Sequence, residues 1–115
     1  PQAAERDPRI AIRTRGRATF IAPDEIDWVE AQGNYAALHV AGRTHLMRET
    51  IGALQAQLGA ARFVRVSRSA LVPLGRIRAI TPLANGDGEI ELLDGSRLRL
   101  SRRYRAAVWA SFEAT

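Results

Sequence analysis

Everything in this chain leads outward from Arg62-Phe63-Val64-Arg65-Val66-Ser67-Arg68-Ser69-Ala70-Leu71-Val72, which runs on through Pro73-Leu74-Gly75-Arg76-Ile77-Arg78. Residues 62–78 carry five arginines and no acid. Apolar positions gather at Phe63, Val64 and Val66 and return at Ala70, Leu71 and Val72. The polar island Ser67-Arg68-Ser69 lies between them, with Arg65 beside it. That pattern predicts two short buried strands holding a basic, hydroxyl-rich corner out toward a partner. Arginine suits such a corner because its planar fork pairs with phosphate or with the O6/N7 edge of guanine. The competing reading is a solvated strand end whose arginines only keep the protein in solution.

The rest of the composition bounds the partner. A length of 115 residues predicts one domain, and 46% apolar with 25% charged residues is ordinary globular composition. All 17 basic residues are arginine and lysine is absent, a bias that a GC-rich genome explains. Placement is therefore more informative than number. Residues 9–17, 62–78 and 97–105 contain arginines and no acid, whereas acids gather in 24–30 and 87–94. The net charge of +5 and pI near 11.2 favour a polyanionic partner, and three acid-free blocks in one small domain predict a continuous positive face. The absence of cysteine excludes disulfides, thiolate metal sites and thiol catalysis. No apolar run approaches membrane-spanning length. The opening Pro1-Gln2-Ala3-Ala4-Glu5-Arg6-Asp7-Pro8 reads as an interdomain linker over residues 1–9, followed by a domain over 10–113. The expectation is a piece of a longer protein.

Working outward from the corner, the first half reads as short strands joined by tight turns. Ile10 and Ile12 alternate with arginines; Arg15-Gly16 turns into Ala18-Thr19-Phe20-Ile21. Pro23-Asp24-Glu25 interrupts, and Ile26-Asp27-Trp28-Val29-Glu30 begins a second extended piece. Gly33-Asn34 and Ala41-Gly42 are further turns, flanking a strand over residues 35–40. Thr50 then caps a short helix with Ile51, Leu54 and Leu58 on one face and Gly59 as its stop. Beyond the corner, Asn85-Gly86-Asp87-Gly88 is a strong turn. Glu89-Ile90-Glu91-Leu92-Leu93 and Ser96-Arg97-Leu98-Arg99-Leu100 alternate about Asp94-Gly95, which predicts a hairpin with a two-residue turn. Its inner face takes Ile90, Leu92, Leu98 and Leu100. Ser101 caps a last helix striped by Tyr104, Val108 and Phe112, with Trp109 widening the apolar side.

That last helix breaks a local rule. Arg102, Arg103 and Arg105 crowd its N-terminal turns, where the helix dipole is already positive. An anion seated there would resolve the conflict: either a phosphate of the partner or an acid of the chain itself, such as Asp94 or Glu89. Enzyme chemistry finds no foothold. His39 and His45 lack a third ligand at metal spacing, and Ser67, Ser69 and Ser101 lack an activating context. The glycines fall singly at turns rather than in a phosphate-cradling loop. The chain is read as a non-enzyme with no cofactor.

At this level the layout resembles a known family. Asp24-Glu25-Ile26-Asp27-Trp28-Val29-Glu30-Ala31-Gln32-Gly33-Asn34-Tyr35 resembles the I-x-x-I-x-x-I-E-A-x-G-N-Y opening of LytTR domains. Phe63-Val64-Arg65-Val66-Ser67-Arg68-Ser69-Ala70-Leu71-Val72 is similar to their F-x-R-x-H-R-S-x-L-V-N signature. The resemblance covers residues 10–112. It implies a mostly-β fold of layered antiparallel sheets, sandwich-like, with two short α-helices. It also implies sequence-specific binding of double-stranded DNA by the output domain of a bacterial transcriptional regulator, commonly a two-component response regulator. Loops would enter successive major grooves, on promoter direct repeats and with bending of the DNA. An N-terminal receiver or sensor domain, a homodimer on DNA and a cytoplasmic location belong to the same implication. Carried over by position, the contacts are Asn34-Tyr35-Ala36-Ala37, then Arg65, Ser67, Arg68 and Ser69, then Ser101-Arg102-Arg103. Arg68 and Arg103 take base edges; Arg65, Ser67, Ser69, Ser101 and Arg102 take phosphates. The sequence departs from the family pattern at Ser67, where histidine is common, at Pro73, where asparagine is common, and at the bland pair Ala36-Ala37.

A rival reading is a PilZ-like cyclic-dinucleotide sensor, since Arg13-Thr14-Arg15-Gly16-Arg17 and Arg99-Leu100-Ser101-Arg102-Arg103 both fit an R-x-x-x-R clamp. The D/N-x-S-x-x-G motif that should follow is missing. A protein-interaction module, with arginine blocks pointing in different directions, is the third reading.

Overall fold

A computed structural model describes residues 8–113; most of the expected linker over residues 1–9 lies outside the described residues. Among the described residues, ten strands and two α-helices follow one another. Strands β1 (Ile10–Thr14) and β2 (Arg17–Ile21) form a two-stranded antiparallel sheet. Next come β3 (Trp28–Gln32), β4 (Tyr35–Val40) and β5 (Arg43–Met47), and helix α1 (Ile51–Leu58). The hairpin β6 (Phe63–Ser67) and β7 (Ala70–Pro73) completes a five-stranded sheet in the order β5-β4-β3-β7-β6. Strands β8 (Ile77–Pro82), β9 (Gly88–Leu92) and β10 (Arg97–Leu100) make a third sheet in the order β10-β9-β8, and α2 (Arg102–Glu113) closes the chain. All pairings are antiparallel. The mostly-β layered architecture expected from the sequence is the one observed.

Two hydrophobic clusters hold the layers together, and the β6–β7 hairpin separates them. Phe63 and Leu71 lie in one, with Ile10, Ile12, Val29, Leu38 and Leu54. Val64, Val66, Ala70 and Val72 lie in the other, with Ile90, Leu92, Leu100 and Val108. A strand covered on both faces has no solvent side, so its sequence loses the usual alternation and reads as an apolar run. That is why Phe63-Val64 and Ala70-Leu71-Val72 are continuous in hydrophobicity. Helix α1 covers one face with Ile51, Leu54 and Leu58, its first turn capped by the Thr50 hydroxyl, which accepts from Ala53 N at 3.0 Å. Gln55 Nε2 ties the helix to the Phe63 carbonyl at 3.0 Å.

Turn chemistry sets the registers. Gly33, at φ +61°, occupies the first position of the two-residue turn between Gln32 and Tyr35, where only a residue at ease in the left-handed region fits. The β9–β10 hairpin differs from expectation. Leu98 pairs with Ile90 and Arg97 with Glu91, and Leu92 N donates to Ser96 O at 2.9 Å. The loop is therefore Leu93-Asp94-Gly95, three residues rather than two, with Gly95 at φ +91°. The extra residue keeps Ile90, Leu92 and Leu100 buried on one face.

The last helix also differs at its far end. Val108 is buried and Tyr104 packs beside it, but Trp109 and Phe112 are exposed, their ring centroids 6.3 Å apart. Replacing Leu71, fully buried in the cluster under α1, should remove buried surface from that layer. Leu71→Ala is expected to cost about 2–5 kcal/mol, whereas Leu93→Ala in the exposed hairpin loop should stay within about 0.5 kcal/mol. Urea titration of the two variants checks this.

Candidate nucleic-acid interface

The corner between β6 and β7 is built by an irregularity. Arg65 pairs with Leu71, yet Ser67 pairs with Ala70, so a bulge at Val66 shifts the ladder by one residue. Arg68 and Ser69 are left as a two-residue turn. Its backbone is pegged from several sides. Arg65 Nη2 donates to Arg68 O at 2.9 Å, and Arg65 Nε reaches toward Ser67 O at 3.5 Å. Ser69 N donates to Ser67 Oγ at 3.2 Å, and Ala31 N of β3 donates to Ser69 O at 2.8 Å. The Arg65 guanidinium also lies 5.9 Å from the Tyr104 ring of α2. Among the described residues the Arg68 side chain has no hydrogen bond or ion pair, and it projects from this fixed turn into solvent.

The start of α2 sits against the same strand. Ser101 N donates to Val66 O at 2.8 Å, so the bulge that shapes the corner also docks the chain entering the helix. A shallow cleft of about 570 Å³ holds Ser67, Arg68, Ser69, Arg99 and Ser101 together. The sequence set these residues in two separate motifs; the fold makes them neighbours. Arg102 and Arg103 follow, both exposed.

The helix cap is Asp87, not Ser101. The buried Asp87 carboxylate accepts from Arg102 N at 2.9 Å through Oδ1; through Oδ2 it takes Arg99 Nε at 2.9 Å and Arg99 Nη2. Asn85 bonds both the Asp87 carboxylate and its backbone N–H. The positive helix end thus has its anion, drawn from the chain itself, as one of the two resolutions required. It is neither Asp94 nor Glu89: the cap lies fifteen residues before Arg102. The Arg102 amide and the Arg99 guanidinium hold the Asp87 carboxyl below its ordinary value, with the charge of Arg102 adding to them and burial opposing them.

Other acids remove other arginines from the positive face. Arg97 pairs with Glu89 at 3.0 Å, and Arg76 Nε lies 3.7 Å from Asp27. Arg78 Nη2 donates to Leu93 O at 3.4 Å. The second and third arginine blocks therefore each contain arginines held by acids, Arg76 in one and Arg97 and Arg99 in the other, beside exposed arginines with no ion pair among the described residues, Arg68 and Arg103. Arg99, one end of an R-x-x-x-R pair, is committed to Asp87, and nothing in the geometry favours the cyclic-dinucleotide reading.

The first expected contact loop shrinks. Asn34 and Tyr35 are exposed at the β3–β4 turn, but Ala36 and Ala37 are fully buried in β4, flanked by β3 and β5. Their side chains cannot reach a ligand. Both alanines are packing residues, and consecutive small residues in a central strand were the available signal. Asn34 and Tyr35 share a cleft of about 690 Å³ with Arg65, Arg68 and Arg48. Arg48 is an addition, missed because it stands outside every arginine block. His39 stacks on Trp28 at 4.3 Å and bonds Glu30 and Thr44, which accounts for it structurally. No group of acids and histidines that could hold a metal appears among the described residues, nor a helix long and apolar enough to cross a membrane.

A layered β scaffold that fixes an arginine-tipped turn beside a helix start defines a binding domain for an anionic polymer. The comparisons with known proteins sharpen that class. The model of the LytTR family, described as the LytTr DNA-binding domain, matches residues 16–113, and the chain belongs to that family. It is 36% identical over 112 residues to the Positive alginate biosynthesis regulatory protein of Pseudomonas aeruginosa, an alignment covering 94% of this chain and 45% of that protein. It is 27% identical over 104 residues to the Sensory transduction protein LytT of Enterococcus faecalis, covering 88% of this chain and 43% of that one. The chain spans less than half the length of either relative. A solved LytTr DNA-binding domain from Bacillus cereus superposes with a TM-score of 0.82 at 17% identity, over 93% of this chain and 98% of that one, a likeness of fold.

Because the Asp87 carboxyl is held low in the folded state, its contribution to stability is complete above the ordinary carboxylate range. It drains away as pH falls through the depressed value. Asp87→Asn should therefore lower Tm at neutral pH and flatten the acid limb of the Tm–pH curve. Thermal unfolding followed across an acid series measures both effects.

Proposed function

We propose that this domain binds double-stranded DNA sequence-specifically, as the cytoplasmic output domain of a bacterial transcriptional regulator. The observation that carries the reading is the Arg68 side chain, exposed and unpaired among the described residues on a turn whose backbone is pegged in place. Arg68 and Arg103 read base edges in successive major grooves, each offering a bidentate fork to guanine. Arg102, Ser69 and Ser101 hold phosphates. Ser67 joins them: its Oγ accepts from Ser69 N and keeps its own proton to donate.

Two assignments change from the positional expectation. Arg65 acts as a positioning residue, since its guanidinium already serves the carbonyls of the turn and the Tyr104 ring. The first loop contributes through Asn34 and Tyr35 alone. The full regulator would carry a receiver or sensor domain beside this one and act on promoter direct repeats, pairing two copies on the DNA. The names of the two relatives, one regulatory and one of sensory transduction, support this reading.

Fluorescence anisotropy with a duplex enriched by binding selection, against a scrambled duplex across a salt series, tests the proposal. A gap of several kcal/mol that survives physiological salt is expected of a sequence reader; equal binding to both would end the specific reading. In the same assay Arg68→Ala should cost about 1–3 kcal/mol on the selected duplex and relax its sequence preference. Arg102→Ala should instead weaken all duplexes alike and flatten the salt slope by roughly one unit.

A further inference from the structure

Three clefts on this molecule are joined end to end by the residues they share. The cleft of about 690 Å³ between the β3–β4 turn and the corner shares Ala31 and Arg68 with the cleft at the start of α2. At its other side it shares Tyr35 and Arg48 with a cleft of about 500 Å³ that Arg13 and Leu46 line, where β1 meets β5. The result is a single trough. Arginines mark it throughout: Arg99 and Arg68 at the α2 end, Arg65 and Arg68 in the middle, Arg48 at the junction and Arg13 at the far end.

Its electrostatics differ from those of the other clefts. Among the described residues the only acid lining the three joined clefts is Glu49, whose Oε1 accepts from Thr50 N at 3.0 Å. The cleft beside β9 and β10 instead brings Asp87 and Glu89 to Arg97 and Arg99, and the one at the base of the hairpin sets Asp24 against Arg62 and Arg76. Arg48 and Arg13 are exposed and have no ion pair among the described residues. Arg99 and Arg65 are held by Asp87 and by carbonyls of the turn. Arg68, Arg48 and Arg13 have no ion pair among the described residues, and such guanidinium groups along an open trough repel one another unless a polyanion follows them. Spaced phosphates are that polyanion, because each can take one arginine and release its condensed counterion.

We infer that Arg48 and Arg13 extend the DNA interface from the corner to the β1–β5 side of the domain, holding backbone phosphates of DNA that flanks the base-reading contacts. This rests on the DNA-binding reading above and adds to it a direction and a length. With Arg68 in a groove, the phosphate strand beside it runs past Tyr35 along the trough to Arg48 and on to Arg13. Neither arginine has a base-reading role, so their contribution is independent of sequence.

The test compares Arg48→Gln, Arg13→Gln and the double variant with the unmodified chain, on the selection-enriched and the scrambled duplex across a salt series. Each single variant should weaken both duplexes by the same factor and make the slope of log K against log salt shallower by about one unit, the double by about two. Arg62→Gln is the control, since Arg62 is equally exposed but stands at the base of the hairpin, outside the trough. Its slope should match that of the unmodified chain. Thermal midpoints should stay unchanged in all four. Unchanged slopes for Arg48→Gln and Arg13→Gln would overturn the track, and so would a loss at Arg62→Gln equal to theirs, which would mean a charge effect without position. If the unmodified chain bound no duplex at all, the DNA reading itself would fall, an outcome distinct from both.

Discussion

The β6–β7 hairpin has to satisfy two hydrophobic layers at once, and the remaining architecture follows from that constraint. Phe63 and Leu71 belong to the layer under α1, while Val64, Val66 and Val72 belong to the layer under β9, β10 and α2. With both faces covered, the hairpin is apolar except at half-buried Arg65 until the cover ends, and Ser67-Arg68-Ser69 begins there. The bulge at Val66 makes the ending possible. Had the pairing of Arg65 with Leu71 continued unshifted, Ser67 would face Ser69 with Arg68 alone between them. The shift pairs Ser67 with Ala70 and leaves a two-residue turn, while Val66 and Ala70 stay in the same layer. The Val66 carbonyl then receives Ser101 N, so one irregularity sets both the corner and the approach to α2.

Charge is organised by the same division between what is buried and what is displayed. Three acids in residues 24–30 and 87–94 meet arginines from other elements: Asp27 meets Arg76, Asp87 meets Arg99, and Glu89 meets Arg97. Those pairs serve the scaffold. Asp87 does most, since a buried carboxylate is costly without partners and it has Arg99, the Arg102 amide and Asn85. It lets a helix begin with arginines by supplying the negative charge that the dipole needs. Arg68 and Arg48, which find no acid among the described residues, stand along the open trough.

How much of this was legible in the sequence depends on the range of the interaction involved. Strands, both helices and the buried hairpin followed from local periodicity and turn residues. The face of the β9–β10 hairpin was readable because alternation fixes which side is buried; its loop length was not, because Leu93 joins Asp94 and Gly95 in the loop and alternation does not register where pairing stops. Ser101 looked like the cap of α2 by adjacency, while the actual cap comes from a turn two strands earlier. Ala36 and Ala37 entered the expected site through motif position, which carries no information about burial; in β4 both are fully enclosed. Arg48 was passed over for the opposite reason, since it belongs to no charged block and gains its meaning only when the fold sets it beside Tyr35 and Arg68.

Arg65 shows why the arginines of the corner are not equivalent. A residue that reads a base has to arrive in a narrow range of orientations, and ordering a mobile loop at the moment of binding would cost affinity. Here the ordering is already present in the free chain, supplied by the guanidinium three residues before the turn. Its planar fork reaches carbonyls of both Ser67 and Arg68 and lies over the Tyr104 ring, a combination that the single point charge of lysine does not reproduce. The same contacts connect the corner to α2, so the two base-reading arginines proposed here, Arg68 and Arg103, are carried on elements that Arg65 and the Val66 carbonyl hold in one frame. On that proposal the spacing between two recognition points is a property of the folded domain, and a target would have to match that spacing as well as the individual bases.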